Sequence, residues 1–150
     1  TMSDSVQFSQ SLRQWVDIFM HHSMRGWHHF VKSTGLTMPQ FSILMQLHYK
    51  GRIGMSEVSE QFGVSAAAAS QLVDKLVQAG FMERAEDPSD RRAKLIQLSP
   101  NGKKLIETGI SERYRWMDGL TSKLSADDKA KVVDALQVLI EAARQLDETA

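Results

Sequence analysis

A mainly α chain carrying one small β-hairpin is the fold class this sequence predicts, and three observations predict it. Apolar residues recur at helical spacing along most of the 150 residues, with a capping residue or a glycine at the breaks. Residues 81–98 trade that spacing for strand formers on either side of a charged Asp-Pro turn. Between residues 56 and 102 the order runs helix, Gly turn, capped helix, hairpin, then a Gly-bearing helix start.

Taken in order, residues 5–32 read as one long helix, with Leu12, Trp15, Val16, Phe19 and Phe30 on a broad stripe and no Pro to interrupt it. Thr37 is placed to cap a second helix with Pro39 in its first turn, and Phe41, Leu44, Met45 and Leu47 mark its apolar side up to Gly51. Ile53-Gly54-Met55 is too short to stand alone but suits a third strand beside the hairpin. Ser56 can cap a short helix ending near Phe62, with Gly63 taking the left-handed turn. Ser65 caps the next helix, which runs to Ala79 with Gly80 at its end. Phe81–Ala85 and Ala93–Leu98 are the two strands, and EDPSDRR is the turn between them. Ser99 or Asn101 caps a helix from Pro100 to about Thr121, and Ser125 with Asp127 and Asp128 opens the last one.

The last helix repeats Val132, Leu136, Leu139, Ala143 and Leu146 at steps of 4, 3, 4 and 3, a heptad seam, while Val133 and Ile140 form a second apolar row. A helix apolar on two sides needs two partners, and a second subunit suits one of them. The chain thus divides into an N-terminal dimerisation helix (1–34), a winged helix-turn-helix lobe (35–102) and C-terminal dimerisation helices (103–150), one domain overall. Leu12 joins the heptad residues as the expected dimer interface.

Composition narrows the function. Net charge is zero, and there is no cysteine, which excludes disulfides, thiolate metal ligands and thiol redox sensing. No apolar run reaches the roughly 18 residues of a membrane span, and no basic-then-apolar leader opens the chain, so the expected place is the cytoplasm. Lys and Arg number four against two acids in residues 1–50, eight against seven in 51–104, and six against nine in 105–150. Arg91, Arg92, Lys94, Lys103 and Lys104 crowd residues 91–104 with no acid among them. So short a basic patch suits a small footprint on phosphates. Neither GxSxG, a Gly-rich phosphate loop nor HExxH occurs, which sets enzymatic chemistry aside.

A helix-turn-helix followed by a hairpin offers one element to the major groove and one to the minor groove. On the second helix Ala69, Leu72, Val73 and Leu76 form the inward stripe, leaving Ala66, Ala67, Ser70, Gln71, Asp74 and Lys75 outward. Gln71 carries the amide for bidentate contact with adenine, Ser65 and Ser70 can reach bases or phosphate, and the alanines can meet thymine methyl groups. Ser56 and Lys94 complete the candidate DNA-contacting set on the flanking elements. At the hairpin tip Arg91 and Arg92 can enter a narrow minor groove, with Asp90 pairing Arg92 to aim it.

These segments resemble the MarR family of bacterial transcription regulators over nearly the whole chain. LTMPQFSILMQL (36–47) is similar to that family's second-helix motif, and residues 58–102 to its signature core. Asp90-x-Arg92 and LSPNG (98–102) are the most specific marks. The resemblance implies a homodimer built from the terminal helices, with Arg92 as the minor-groove arginine of each lobe. Members often carry Thr and a basic residue where Ala68 and Gln71 stand, so direct readout by this helix is expected to be thin.

The resemblance further implies a repressor that reads a pseudo-palindromic operator and is released by a small ligand, often an aromatic acid. Trp15, Phe19, Met24, Arg25, Trp27 and Phe30 are the candidate pocket residues, with Arg25 pairing a carboxylate. His21 and His28, like His22 and His29, are seven apart and share a face about two turns apart, whereas helical zinc pairs use i, i+4 spacing. No metal and no resident cofactor are therefore expected, and a zinc-responsive regulator of the same fold is an alternative. A winged-helix protein-interaction module is another, suggested by the Ala-rich helix face and zero net charge.

Overall fold

The computed structural model describes residues 2–148, the side chains of Met2, Arg91, Arg92 and Ala93 excepted. Seven helices and three strands follow in chain order among them: α1 (Met2–Thr34), α2 (Met38–Lys50), β1 (Arg52–Gly54), α3 (Met55–Phe62), α4 (Ala66–Gln78), β2 (Met82–Asp87), β3 (Asp90–Leu98), α5 (Pro100–Tyr114), α6 (Met117–Lys123) and α7 (Ala126–Glu148). They form two compact units, Thr1–Tyr114 and Arg115–Ala150.

Local chemistry explains most of the boundaries. Thr37 and Gln40 make a reciprocal capping box: Thr37 Oγ1 accepts from the Gln40 N–H, and Gln40 Oε1 accepts from the Thr37 N–H at 2.8 Å. Gly63 sits at φ 60° and ψ 34°, the left-handed conformation that ends α3 at little cost only for a glycine. Ser65, Ser99 and Ser125 each accept an N–H three residues on, from Ala68, Gly102 and Asp128.

Three boundaries differ from the sequence expectation. Ser56 does not cap α3: the helix starts two residues earlier than that cap would place it, Gly54 holds the cap position without a side-chain bond, and Ser56 lies in the first turn. β1 ends at Gly54 because Met55 already belongs to that helix. The helix expected to reach Thr121 stops at Tyr114, where bonds to the residue three back take over: the Asp118 N–H donates to the Arg115 carbonyl and the Gly119 N–H to that of Trp116. No proline or cap marks this break in the sequence.

The sheet is antiparallel in the order β1-β3-β2. One row, Ile53↔Ile96↔Arg84, turns both isoleucines into the core; the next, Arg52↔Gln97↔Glu83, carries a hydrogen-bonded polar ladder across all three strands. Phe41, Ile43, Leu44, Leu47, Val73, Leu76, Met82 and Ile106 join the two isoleucines in one cluster. Burying each such side chain contributes about 1.5–3 kcal/mol. The expected inward stripe of α4 holds, with Ala69, Val73 and Leu76 buried and Leu72 packed at the edge. α1 and α5 cross closely, since a Cβ on Gly109 would lie 2.7 Å from both the Trp27 and Phe30 rings.

Candidate nucleic-acid interface

The helix-turn-helix is α3, the Gly63 turn and α4. The Gly63 and Val64 N–H groups return to the Glu60 and Ser59 carbonyls at 3.3 and 3.1 Å, so the turn closes on itself and sets where α4 begins. The Ser65 cap holds that first turn, leaving Ala66, Ala67 and Ala68 exposed beside it. Gln71 and Lys75 are exposed one and two turns on, and Ser70 is half-buried at the margin of the same face. This face has donors, acceptors and methyl groups at helical spacing, and small residues where close approach matters. Ser56 is exposed on the neighbouring α3. Asp74, also on this face, is paired with Arg84 of β2.

The hairpin beside α4 is narrower than the sequence suggested. Its turn is Pro88-Ser89, not the seven residues 86–92, and Asp90, Arg91 and Arg92 are the first residues of β3. The reason is Asp87, whose Oδ1 accepts from the Ser89 N–H at 2.9 Å and the Ser89 hydroxyl at 2.7 Å, closing the chain in two residues. The Ser89 hydroxyl first, then its N–H, hold the Asp87 carboxyl below its ordinary pKa; the charge of Arg52 adds to this. Register passes from Glu86↔Lys94 to Asp87↔Asp90, so residues 91–93 occupy an irregularity on the β3 side. The expected Asp90–Arg92 pairing, and the reach of Arg91, fall on side chains outside the described residues. Asp90 and Lys94 are exposed.

The six residues expected to line a ligand pocket are distributed differently. Trp27 is buried, Met24 and Phe30 pack on the core edge, Phe19 stacks near Trp15 and Tyr114 at 6.4 and 6.2 Å, and Arg25 is exposed. A cavity of about 360 Å³ lies between α1, α2 and α5; of the six, only Trp27 lines it, together with Phe41, Met45, Gln46, Tyr49 and Arg113. The Arg113 guanidinium sits 4.5 Å from the Trp27 ring centroid, a cation–π contact. Among the described residues, Gln46 Oε1 and Arg113 Nε are buried without a hydrogen-bond partner. Both atoms belong to residues of the cavity wall but are themselves shielded from solvent, and leaving each unbonded costs free energy. Neither residue has a motif signal, because each looks like an ordinary outward position on its helix.

Among the described residues no three His, Asp or Glu side chains could hold one metal ion together, and no helix is long and apolar enough to cross a membrane. The expected dimer residues Val132, Leu136, Ala143 and Leu146 are exposed on α7, Leu139 is half-buried, and Leu12 is half-buried on α1.

Comparison with known proteins agrees with this geometry. Residues 36–94 match the model of the MarR family. The chain is 30% identical over 104 residues to an HTH-type transcriptional regulator, YfiV, of Bacillus subtilis; the match covers 69% of this chain and 65% of that relative. In three dimensions it resembles the transcriptional regulator Tm0710 of Thermotoga maritima, with a TM-score of 0.75, 27% identity and coverage of 93% and 95%. It shares the fold of a mutant MarR from E. coli, solved with operator DNA, at a TM-score of 0.52, 23% identity and coverage of 86% and 93%. Residues 36–94 are thus a MarR-family segment, and the chain around them resembles winged helix-turn-helix transcription regulators of that family.

Proposed function

We propose that the chain is a homodimeric, sequence-specific DNA-binding regulator, a repressor that a small acidic ligand releases from a pseudo-palindromic operator. The observation that carries the DNA reading is one lobe presenting a capped helix with an exposed polar face beside a short hairpin. The related fold solved on operator DNA supports it. In this reading α4 enters the major groove, with Gln71 and Ser70 at base edges and Lys75 on phosphate. Arg91, Arg92 and Lys94 serve the wing, and Ser56, Ser65, Ala66, Ala67 and Asp90 complete the contact surface.

Dimerisation is supported by α7, which fully buries none of its residues yet carries Val132, Leu136 and Leu146 at 44%, 42% and 71% exposure. Two such lobes would read half-sites about 10 bp apart. Ligand release is supported by the cavity lined by Trp27, Phe41, Met45 and Arg113, where an aromatic acid would set its ring against apolar walls and its carboxylate near the Arg113 guanidinium.

Fluorescence anisotropy on intergenic DNA from the chain's own locus, titrated with salt, tests the reading. Affinity should fall steeply as salt rises, because each neutralised phosphate contributes about 0.9 to the log–log slope. Arg92→Ala should weaken binding to most sequences, and Gln71→Ala should chiefly change base preference by about 1–3 kcal/mol at one position. No binding at low salt without ligand would sink it. The Ala-rich face of α4 favours one second reading, a protein-interaction module, and random-sequence DNA would then show no affinity either.

A further inference from the structure

Arg84 stands on the edge strand β2, in the row that also holds the buried Ile53 and Ile96, yet it is half exposed. Instead of entering the core, its guanidinium meets the Asp74 carboxylate on α4. Asp74 is four residues beyond Ser70 and three beyond Gln71, one turn along the exposed face of the recognition helix. With both partners about half exposed, such a pair contributes little to folding. Docking on a duplex changes the balance: water leaves, phosphates approach, and a carboxylate on the reading face is repelled unless its charge is already met.

We propose that Arg84 is a positioning residue for DNA binding: it cancels the charge of Asp74 and ties the wing to the recognition helix, so that both enter their grooves as one unit. This rests on the DNA-binding reading above. Arg84 acts through Asp74 and makes no phosphate contact of its own.

The test is a double-mutant cycle of Arg84→Ala, Asp74→Asn and the pair, read by anisotropy on a duplex that the wild-type chain has enriched from a random-sequence library. Arg84→Ala should weaken binding about tenfold by leaving like charges opposed, with the wild-type salt slope and a melting temperature within a few degrees. Adding Asp74→Asn should restore most of that affinity, and Arg84→Lys should keep it within about threefold, because it preserves the charge. If Arg84 instead held a phosphate, the double variant would stay as weak as Arg84→Ala and the log–log salt slope would drop by about one, overturning the proposal. Equal affinity for all variants would overturn it as well. A wild-type chain that enriches no duplex would instead refute the DNA-binding reading itself.

Discussion

The unit up to Tyr114 and the last helix solve the same problem, apolar surface in water, in opposite ways. The first folds α2, α4, α5 and the three strands around one cluster, so that Ile43, Leu44, Val73, Leu76, Ile96 and Ile106 have no exposure left. α7 has as regular an apolar pattern and fully buries none of it. The difference teaches that periodicity alone does not make a core. The lobe supplies several elements that cover each other, whereas α7 presents more than one apolar row, with Val132, Val133, Leu136 and Ile140 exposed. In the proposed dimer this exposed seam is the surface that a second subunit covers.

Five measurements would break or sharpen that contrast. Leu76→Ala should have the largest effect, lowering unfolding free energy by about 2–5 kcal/mol through lost burial and the cavity left behind. Because the lobe covers its own core, the loss should be the same at every protein concentration in denaturant melts. Leu136→Ala should behave otherwise, shifting the monomer–dimer equilibrium in sedimentation and making the melting temperature depend more strongly on concentration. A concentration-independent loss as large as that of Leu76→Ala would show that α7 is covered within one chain and break the comparison.

The capping serines set the two regions side by side, since Ser65 and Ser125 accept the same kind of bond at 3.1 Å. Ser65→Ala should cost about 1 kcal/mol, visible as a lower midpoint of the lobe. Ser125→Ala should cost a similar amount and appear as faster amide exchange in the first turn of α7. The smallest effect concerns the wing turn. Asp87 titrates below its ordinary value in the folded chain, so its turn bonds stabilise above the unfolded pKa of about 3.9 and are lost as pH falls through the folded value. Carbon-detected NMR of the Asp87 carboxyl should give a lowered midpoint, and Ser89→Ala should raise it.

Much of this was legible in the residues. Three serine caps, the Thr37 cap, the Gly63 turn and the inward stripe of α4 are short-range matters, settled by hydrogen bonds within four residues and by helical spacing. The third strand beside the hairpin was legible too, from the apolar Ile53 between turn residues. The misread Ser56 cap shows the limit of such signals: a serine before an apolar run fits either the cap or the first turn, and the helix starts at Met55, with Met55 and Val58 packed on the core. The wing turn was misread for a related reason. The charged run after Pro88 looks like loop, but cross-strand pairing draws Asp90 into β3.

What the sequence by itself determined is the order of elements and the outward set on α4, because capping, turn chemistry and apolar period act over a few residues. Only the tertiary structure brought Arg113 over Trp27 beside Gln46 and paired Arg84 with Asp74. Those contacts join residues from different elements. No local pattern encodes them, since a side chain's partner across a packed interface depends on how every element between them has settled.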